Sequence, residues 1–338
     1  MIDTLSPKDF TTDQEVRWCP GCGDYSILKQ VQTVFPTLGI PKENFVIISG
    51  IGCSSRFPYY MDTFGMHSIH GRATAIASGL KASRPELSVW VVTGDGDSLS
   101  IGGNHLIHLL RRNINIQILL FNNQIYGLTK GQYSPTSEVQ KVTKSTPFGS
   151  IDNPFNPVAL ALGSEGTFIA RTMDRDPKHM QEMLKRAHQH QGTSFLEIYQ
   201  NCNIFNDGAF EIFSEKSSKA DHTIYLEHGK PLIFGADKNK GILLDGLQPK
   251  IVTIGEQYSE NDLWIHDETD STKAFLLAKM FGHNEDANFF PRPFGVIYAI
   301  NRPCYDTMLQ EQLETVKNEK GAGDLDALIA GKETWTIL

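Results

Sequence analysis

Short, mostly apolar runs recur along the first two-thirds of the chain, and each ends in a turn rich in glycine or asparagine. Runs without a regular polar alternation are typical of strands buried on both faces of a sheet. The stretches between them carry apolar residues at the three- and four-residue spacing of helices. The pattern predicts strands at 45–49, 88–93, 114–121 and 194–199, and helices at 24–35, 71–81, 101–112 and 177–189.

The order of these elements indicates the fold class. A strand, a turn, a helix and a second strand at this spacing imply parallel strands joined by crossovers, which is the α/β class. In such sheets ligands bind at the carboxyl ends of the strands, and the Gly-, Asp- and Asn-rich turns of this sequence fall there. We therefore expect a parallel-sheet fold with its ligand site along one edge.

The hydrophobic pattern of the sequence changes after about residue 213, where short apolar stretches alternate with Gly, Lys and Asp as in small hairpins. The pattern predicts short strands at 223–226, 242–244 and 251–254, and helices at 271–281 and 307–317. We expect one domain over 1–212 and a smaller C-terminal α+β extension over 213–338.

Composition narrows the class of protein. The 338 residues are 40% hydrophobic and 21% charged, which is typical of a globular chain. A net charge of −8 argues against a nucleic-acid-binding surface, which needs clustered positive charge. No apolar run approaches the roughly 20 residues of a membrane helix, and the N-terminus lacks the basic start and apolar core of a signal peptide. The expected location is therefore the cytoplasm, with no membrane partner.

Two of the five cysteines form a C-x-x-C pair, Cys19 and Cys22. The cytosol keeps thiols reduced, so disulfides are not expected. In that compartment the C-x-x-C spacing favours metal, cluster or redox chemistry.

Two polar turns follow neighbouring predicted strands. Gly94-Asp95-Gly96 ends the strand at 88–93, and Asn122-Asn123 ends the next strand. Carboxylate, amide and backbone carbonyl oxygens are the ligands that Mg²⁺ accepts alongside phosphate oxygens, and glycines let a backbone approach phosphates. Alone, Gly-Asp-Gly is most often an ordinary turn, whereas the pair of turns indicates a diphosphate site. The P-loop pattern is absent, and the third glycine of a dinucleotide fingerprint is missing.

This two-part arrangement is the thiamine-diphosphate motif, and four segments resemble the β subunits of 2-oxoacid:ferredoxin oxidoreductases. The segments are WCPGCGDYSIL at 18–28, GIGCSSRFPYY at 50–60, HSIHGRATAIASGLK at 67–81, and the run from GDGDSLSIGG to GQYSPTS at 94–137. The resemblance covers roughly residues 15–210. The later LWIHDETD and PRPFGVIYAINRPCYD are similar to longer-tailed members and carry less weight.

The resemblance implies a 4Fe–4S cluster bound by Cys19, Cys22, Cys53 and Cys202, since thiolates are the usual cluster ligands. A structural zinc site made by the same four thiolates is the alternative. Cys304 matches no ligand position and is interpreted as a packed thiol.

The resemblance also implies a thiamine-diphosphate site at matching positions. The Mg²⁺ ligands would be Asp95, Asn123 and the carbonyl of Ile125. The diphosphate would contact Gly94 and Gly96 of the first turn, together with Asp97 and Thr129. The cofactor rings would be bordered by Ile51, Gly52, Cys53, Ser54, Tyr126 and Leu128.

Three further residues have open roles. His70 resembles a cofactor-contacting, catalytic residue, and the alternative is a partly buried histidine that serves packing. Arg56 is a candidate anchor for a substrate carboxylate, because a guanidinium pairs bidentately with a carboxylate. It is equally a candidate structural cation near the cofactors, and Lys130 has the same ambiguity.

The implied reaction converts a 2-oxoacid, coenzyme A and oxidised ferredoxin into acyl-CoA, carbon dioxide and reduced ferredoxin. An α subunit would supply the carboxylate that thiamine enzymes need against the aminopyrimidine ring, since this chain has one diphosphate-type unit. The sequence is most similar to the 2-oxoglutarate-using branch, with pyruvate or branched-chain 2-oxoacids as alternatives. A non-enzymatic, zinc-stabilised interaction module is the alternative from another class.

Overall fold

The computed structural model describes residues 5–255, 257–281, 289–335 and 337. Residues 1–4, 256, 282–288, 336 and 338, which fall within the two predicted domain ranges, lie outside the described residues. The helices of the described part are α1 (Asp24–Val34), α2 (Ala73–Ser83), α3 (Gly103–Arg112), α4 (Pro157–Gly163), α5 (Pro177–Gln189), α6 (Glu211–Ser214), α7 (Lys219–His222), α8 (Ser271–Lys279), α9 (Tyr305–Lys320) and α10 (Leu325–Ala330). The strands are β1 (Phe45–Ser49), β2 (Phe64–His67), β3 (Ser88–Gly94), β4 (Gln117–Asn122), β5 (Phe168–Met173), β6 (Ser194–Tyr199), β7 (Thr223–Tyr225), β8 (Ile233–Phe234), β9 (Lys240–Asp245), β10 (Gln248–Thr253) and β11 (Arg292–Ala299).

An eight-stranded sheet in the order β2-β1-β3-β4-β6-β5-β11-β7 organises the described residues. Strands β1 to β6 are mutually parallel, whereas β11 runs antiparallel to β5 and β7 runs parallel to β11. The predicted α/β class with a mainly parallel sheet is confirmed. No described helix has the length and apolarity needed to span a membrane.

The central strands are apolar throughout because each face of the sheet packs against helices. Along β3, Val89 and Val91 belong to a core with α2 and α3, while Trp90 and Val92 belong to a second core with α1 and α5. Alternate side chains of a strand point to opposite faces, so both sets must be apolar. This explains why these strands show no regular polar alternation.

Agreement between predicted and observed elements is closest where a strand or helix is fully packed. The predictions for 45–49, 177–189 and 194–199 match β1, α5 and β6 at both ends. The strand predicted from residue 114 begins at Gln117, because Ile114 and Ile116 are buried in the connection before it. Strand β2 was not predicted, since it is four residues long, lies at the sheet edge and is mostly exposed.

Residues after 213 contribute to both sheets. Strands β7 and β11 extend the main sheet, and β8, β9 and β10 form a separate three-stranded antiparallel sheet. The division into 1–212 and 213–338 stays a prediction about folding units, and the main sheet continues across it. Consequently the C-terminal part packs directly against strands that lead to the ligand edge.

Candidate functional site

A cavity of about 130 Å³ lies at the carboxyl ends of β1, β3 and β4. Parallel strands bring their turns to the same edge, which is why segments distant in sequence meet there. The structure brings together every residue predicted to bind the cofactor. The cavity is lined by Ile51, Gly52, Cys53, Ser54, His70, Gly94, Asp95, Gly96, Asp97, Phe121, Asn123, Ile125, Tyr126, Gly127, Leu128 and Thr129.

Asp95 is buried in this cavity, and one of its two carboxylate oxygens is fully engaged. Oδ2 accepts hydrogen bonds from Ser134 Oγ at 2.5 Å and Thr136 Oγ1 at 2.6 Å. No side chain in the described ranges donates to Oδ1. Burial raises the pKa of Asp95 to about 6, against the lowering effect of the two hydroxyls. Backbone N–H groups of Asp95 and Gly96 also lower this pKa. Because Oδ1 has no side-chain donor among the described residues, it is the oxygen that a cation would contact, and a cation there would favour the charged carboxylate.

The second polar turn follows β4 and contains the other two predicted metal ligands. Asn123 Nδ2 donates to Gln200 Oε1 at 2.8 Å, which fixes the amide so that Oδ1 faces its own turn. That oxygen accepts from the backbone N–H of Ile125 at 3.2 Å. An amide oxygen has two lone pairs, so Asn123 Oδ1 retains one for a metal ion.

The Asp97 carboxylate is committed to the protein. It accepts from the backbone N–H of Ile51 at 3.1 Å, from that of Gly71 at 2.7 Å and from Thr93 Oγ1 at 2.7 Å. Its Oδ1 also contacts His70 Nδ1. Side-chain contact between Asp97 and a diphosphate would therefore require breaking these bonds, and the backbone of Asp97 is the available group. The carboxylate instead joins the turn at Ile51 to His70.

Glycines are required at two positions in the cavity wall. Gly52 has a φ of +135°, a conformation that residues with a Cβ rarely adopt. A Cβ on Gly96 would lie 2.1 Å from the ring of Tyr126, whose hydroxyl donates to the Gly96 carbonyl at 3.0 Å. Thr129 Oγ1 donates to Gln132 Oε1 at 2.9 Å and remains exposed at the rim.

The four cysteines of the predicted cluster line an adjoining cavity of about 190 Å³. Cys53 and Leu128 line both cavities, and a Cβ on Gly127 would lie 3.5 Å from Cys53 Sγ and 3.6 Å from Cys202 Sγ. Burial raises the pKa of Cys53 to about 12, and burial also raises the pKa of Cys22. Thiolates in this environment need positive charge to balance them.

Within the part of the chain that the structure describes, no group of three or more His, Cys, Asp or Glu side chains is close enough to bind one metal ion. Cys304 is buried ahead of α9, away from this cavity, as expected for a packed thiol.

Comparison with known proteins relates this geometry to a family. The family profile "Thiamine pyrophosphate enzyme, C-terminal TPP binding domain" matches residues 50–198. The chain is 52% identical over 334 residues to the 2-oxoglutarate oxidoreductase subunit KorB of Mycobacterium tuberculosis, covering 98% of this chain and 88% of that protein. It belongs to the 2-oxoacid:ferredoxin oxidoreductase β-subunit family.

Other members agree with this assignment. The β subunit of 2-oxoacid:ferredoxin oxidoreductase 2 from Aeropyrum pernix is 43% identical over 199 residues, which is 59% of this chain and 64% of that one. A solved structure of the 2-oxoglutarate:ferredoxin oxidoreductase from Magnetococcus marinus, with 2-oxoglutarate, coenzyme A and succinyl-CoA bound, superposes with a TM-score of 0.76. It is 33% identical and covers 98% of both chains. The predicted family, and with it membership of an oxidoreductase that has further subunits, is confirmed.

Arg56 and Lys130 line the cysteine cavity of this β subunit and not the Asp95 cavity. Arg56 Nη1 makes a long hydrogen bond of 3.4 Å to the carbonyl of Arg17. The guanidinium therefore lies beside the thiols, where it would partly offset their negative charge. Both the substrate role and the structural role of Arg56 stay predictions.

Several residues that contact the candidate ligands were not identified from sequence. Ser134 and Thr136 lie within a segment that carried the family resemblance, but no local signal linked them to Asp95. Gln200 joins the two cavities, because its Oε1 accepts from Asn123 and its Nε2 lies 3.3 Å from Cys22 Sγ. Only the adjacency of β4 and β6 in the sheet reveals that contact.

Proposed function

We propose that this chain is the thiamine-diphosphate- and 4Fe–4S-binding β subunit of a 2-oxoglutarate:ferredoxin oxidoreductase. The reaction would convert 2-oxoglutarate and coenzyme A into succinyl-CoA and carbon dioxide, while two electrons pass singly through the cluster to ferredoxin. The observation that carries the proposal is that the Asp95 cavity and the four-cysteine cavity share a wall at Cys53 and Leu128. A reductant formed in one cavity would lie next to the acceptor in the other.

The Asp95 cavity suits a diphosphate bound through Mg²⁺. It offers a carboxylate oxygen of Asp95 without a side-chain donor, an amide oxygen of Asn123 with a spare lone pair, and glycines on both sides of Asp95 that let the backbone approach phosphates. Ser54 Oγ in its wall is buried and has no partner among the described residues, so a bound ligand could satisfy it. When bound, thiamine diphosphate supplies the electron sink that makes decarboxylation of a 2-oxoacid feasible.

The chain's own groups would orient the ligand and control protons. Asp97 accepts from His70 Nδ1, which leaves Nε2 as the histidine nitrogen available to the cavity. Fixing one ring nitrogen in this way sets the orientation of the other. His70 is therefore proposed to contact the cofactor and to move a proton through Nε2.

The cysteine cavity offers four thiols to a cluster, in which each iron takes one thiolate. The same four thiols could bind a structural zinc ion. The zinc-stabilised interaction module is not favoured, because the adjoining Asp95 cavity gives an electron acceptor a use.

A partner subunit is proposed to complete the active site. A cavity of about 130 Å³ is well below the roughly 300–1,000 Å³ of sites that enclose a ligand. Large apolar side chains near it in sequence are exposed: Ile69, which precedes His70, and Ile101, four residues after Asp97, are 70% and 50% exposed. Exposed apolar side chains beside a site are candidates for a surface that another chain covers. The proposed occupant is the α subunit, which would bring a carboxylate to the pyrimidine ring.

Substrate choice rests on likeness to relatives named for 2-oxoglutarate, including the Magnetococcus marinus enzyme solved with that acid bound. Arg56 is a candidate partner for its distal carboxylate. Pyruvate and branched-chain 2-oxoacids are the alternatives, and initial rates against a panel of 2-oxoacids would decide among them.

The test compares the chain alone with the chain plus its α subunit, using methyl viologen as the electron acceptor. We expect no coenzyme A-dependent turnover from the lone chain, because general acid–base help from the missing carboxylate is typically worth about 10²–10⁴-fold. Addition of the α subunit should restore turnover. A brown protein with broad visible absorption is expected for the cluster. Colourless protein with stoichiometric zinc, or substantial turnover by the lone chain, would contradict the proposal.

A further inference from the structure

A buried chain of polar contacts runs from the middle of the sheet to Asp95. At its inner end, Arg171 on β5 and Glu197 on β6 are registered partners in adjacent strands. Arg171 Nε donates to Glu197 Oε2 at 2.7 Å, and the two side chains are 1% and 0% exposed. Arg171 Nη1 also donates to the carbonyl of Pro293 on β11 at 3.0 Å, so the C-terminal part of the chain anchors this end.

Asn122, the last residue of β4, is the next link. Its Nδ2 donates to Glu197 Oε1 at 2.8 Å. A carboxylate only accepts hydrogen bonds, so Glu197 determines that the Asn122 Oδ1 points the other way. That oxygen lies 2.9 Å from Thr136 Oγ1 and 3.3 Å from the backbone N–H of Gln124. The same amide therefore touches both the Thr136 hydroxyl and the turn that leads to Asn123.

Thr136 connects this chain to Asp95. Its hydroxyl is fully buried and lies 2.6 Å from Asp95 Oδ2. A hydroxyl has one proton, and an ionised carboxylate is a stronger acceptor than an amide oxygen. Thr136 therefore donates to Asp95 whenever Asp95 is charged. Together with Ser134 it holds Oδ2 and leaves Oδ1 as the oxygen for a cation.

From this geometry we propose that Arg171, Glu197, Asn122 and Thr136 are positioning residues for the Mg²⁺–diphosphate site. Thr136 fixes the side-chain orientation of Asp95. Arg171, Glu197 and Asn122 fix the turn after β4, which carries the other candidate ligands, because Asn122 Oδ1 accepts from the backbone N–H of Gln124. Ligands that are held in place before the ion arrives lose less freedom on binding, so affinity rises. This inference rests on the proposed function, because it concerns the same Mg²⁺ site.

The main test is Thr136→Val in the complete complex after removal of cofactor and metal. Calorimetry would measure thiamine-diphosphate binding with and without Mg²⁺, and Mn²⁺ would serve as a paramagnetic probe of the metal site. Loss of a hydrogen bond to a charged group corresponds to roughly ten- to a hundred-fold in affinity. We expect the Mg²⁺-dependent affinity to fall by that factor, and Thr136→Ser, which keeps the hydroxyl, to restore most of it.

Thr172→Val is the matched control. Thr172, on β5, is also fully buried, but its hydroxyl bonds His179 Nδ1 at 2.9 Å, and none of its hydrogen bonds in the described residues reaches Asp95. The same chemical change there should leave Mg²⁺-dependent binding unchanged. An equal loss of affinity in both variants would indicate general damage to the core and would overturn the inference.

A double variant, Arg171→Met with Glu197→Met, tests the inner end of the chain. Replacing both members of a buried ion pair avoids the lone buried charge that a single change would create. We expect a weaker Mg²⁺ affinity than in the unaltered protein, with the helical circular dichroism retained. If the unaltered complex binds no thiamine diphosphate, the proposed function fails. If it binds and Thr136→Val binds equally well, only the positioning role fails.

Discussion

Replacing Asp95 with asparagine should have opposite effects on the cofactor-free protein and on cofactor binding. Burial raises the pKa of Asp95 from 3.8 to about 6. A shift of one pKa unit corresponds to about 1.4 kcal/mol. Keeping this carboxylate charged at neutral pH therefore costs the cofactor-free fold about 3 kcal/mol. Asp95→Asn removes that cost. We therefore expect the cofactor-free variant to be more stable than the parent at pH 7, by up to about 3 kcal/mol.

The sign of the pH dependence follows from the direction of the pKa change. Because the folded-state pKa of Asp95 is raised, the folded protein binds more protons than the unfolded chain between pH 4 and 6. Its stability falls as pH rises through that window, and the Asp95 contribution is constant above it. Asp24, whose pKa burial raises to about 7, adds a larger fall that starts at the same pH and extends to about pH 7. Subtracting the pH dependence of stability measured for Asp95→Asn from that of the parent protein isolates the contribution of Asp95.

Cofactor binding should respond in the other direction. Mg²⁺ needs the charged carboxylate, so the parent protein's affinity should increase as pH rises through about 6. The asparagine variant should bind Mg²⁺–thiamine diphosphate about tenfold or more weakly at pH 7, with no pH dependence from this group. Denaturant unfolding of the cofactor-free protein and calorimetry of the cofactor measure the two effects. Unchanged affinity with Asn at this position would refute Asp95 as a metal ligand.

Three further changes test other parts of the site. Cys202→Ala should destroy or convert the cluster while the sheet stays folded. The control variant Cys304→Ala should leave the iron and sulfide content and the paramagnetic signal intact. An intact 4Fe–4S signal in Cys202→Ala would exclude Cys202 as a ligand. Gly96→Ala should abolish cofactor binding, because its Cβ would lie 2.1 Å from the Tyr126 ring, and normal binding by calorimetry would show that the turn adjusts. Arg56→Leu should lower kcat/KM for 2-oxoglutarate by roughly ten- to a hundred-fold more than for pyruvate if it pairs with the distal carboxylate. Equal losses for the two acids would assign Arg56 to the cofactors instead.

The sequence by itself determined the parts of this protein that rest on local pattern. Strands buried on both faces, such as β1 and β6, are mostly apolar along their length, so they can be predicted from the sequence without a structure. The turn at Gly94-Asp95-Gly96 and the asparagines after β4 are short contiguous signals at strand ends. Parallel strands bring such ends to one edge, which is why the cofactor-site residues predicted from the sequence line a single cavity.

The tertiary structure alone decided which residues support that site. Thr136 and Asp95 contact each other although they are 41 positions apart in the sequence, and Glu197 and Asn122 are 75 apart. No periodicity in the sequence relates residues at such separations. The resemblance implies that Asp97 contacts the diphosphate, which stays a prediction, and only the fold shows that its carboxylate accepts from the backbone N–H groups of Ile51 and Gly71. Hydrogen bonding in a core depends on strand order and register, which are properties of the whole sheet. Local patterning specifies each strand and turn, and only their packing determines which side chains meet.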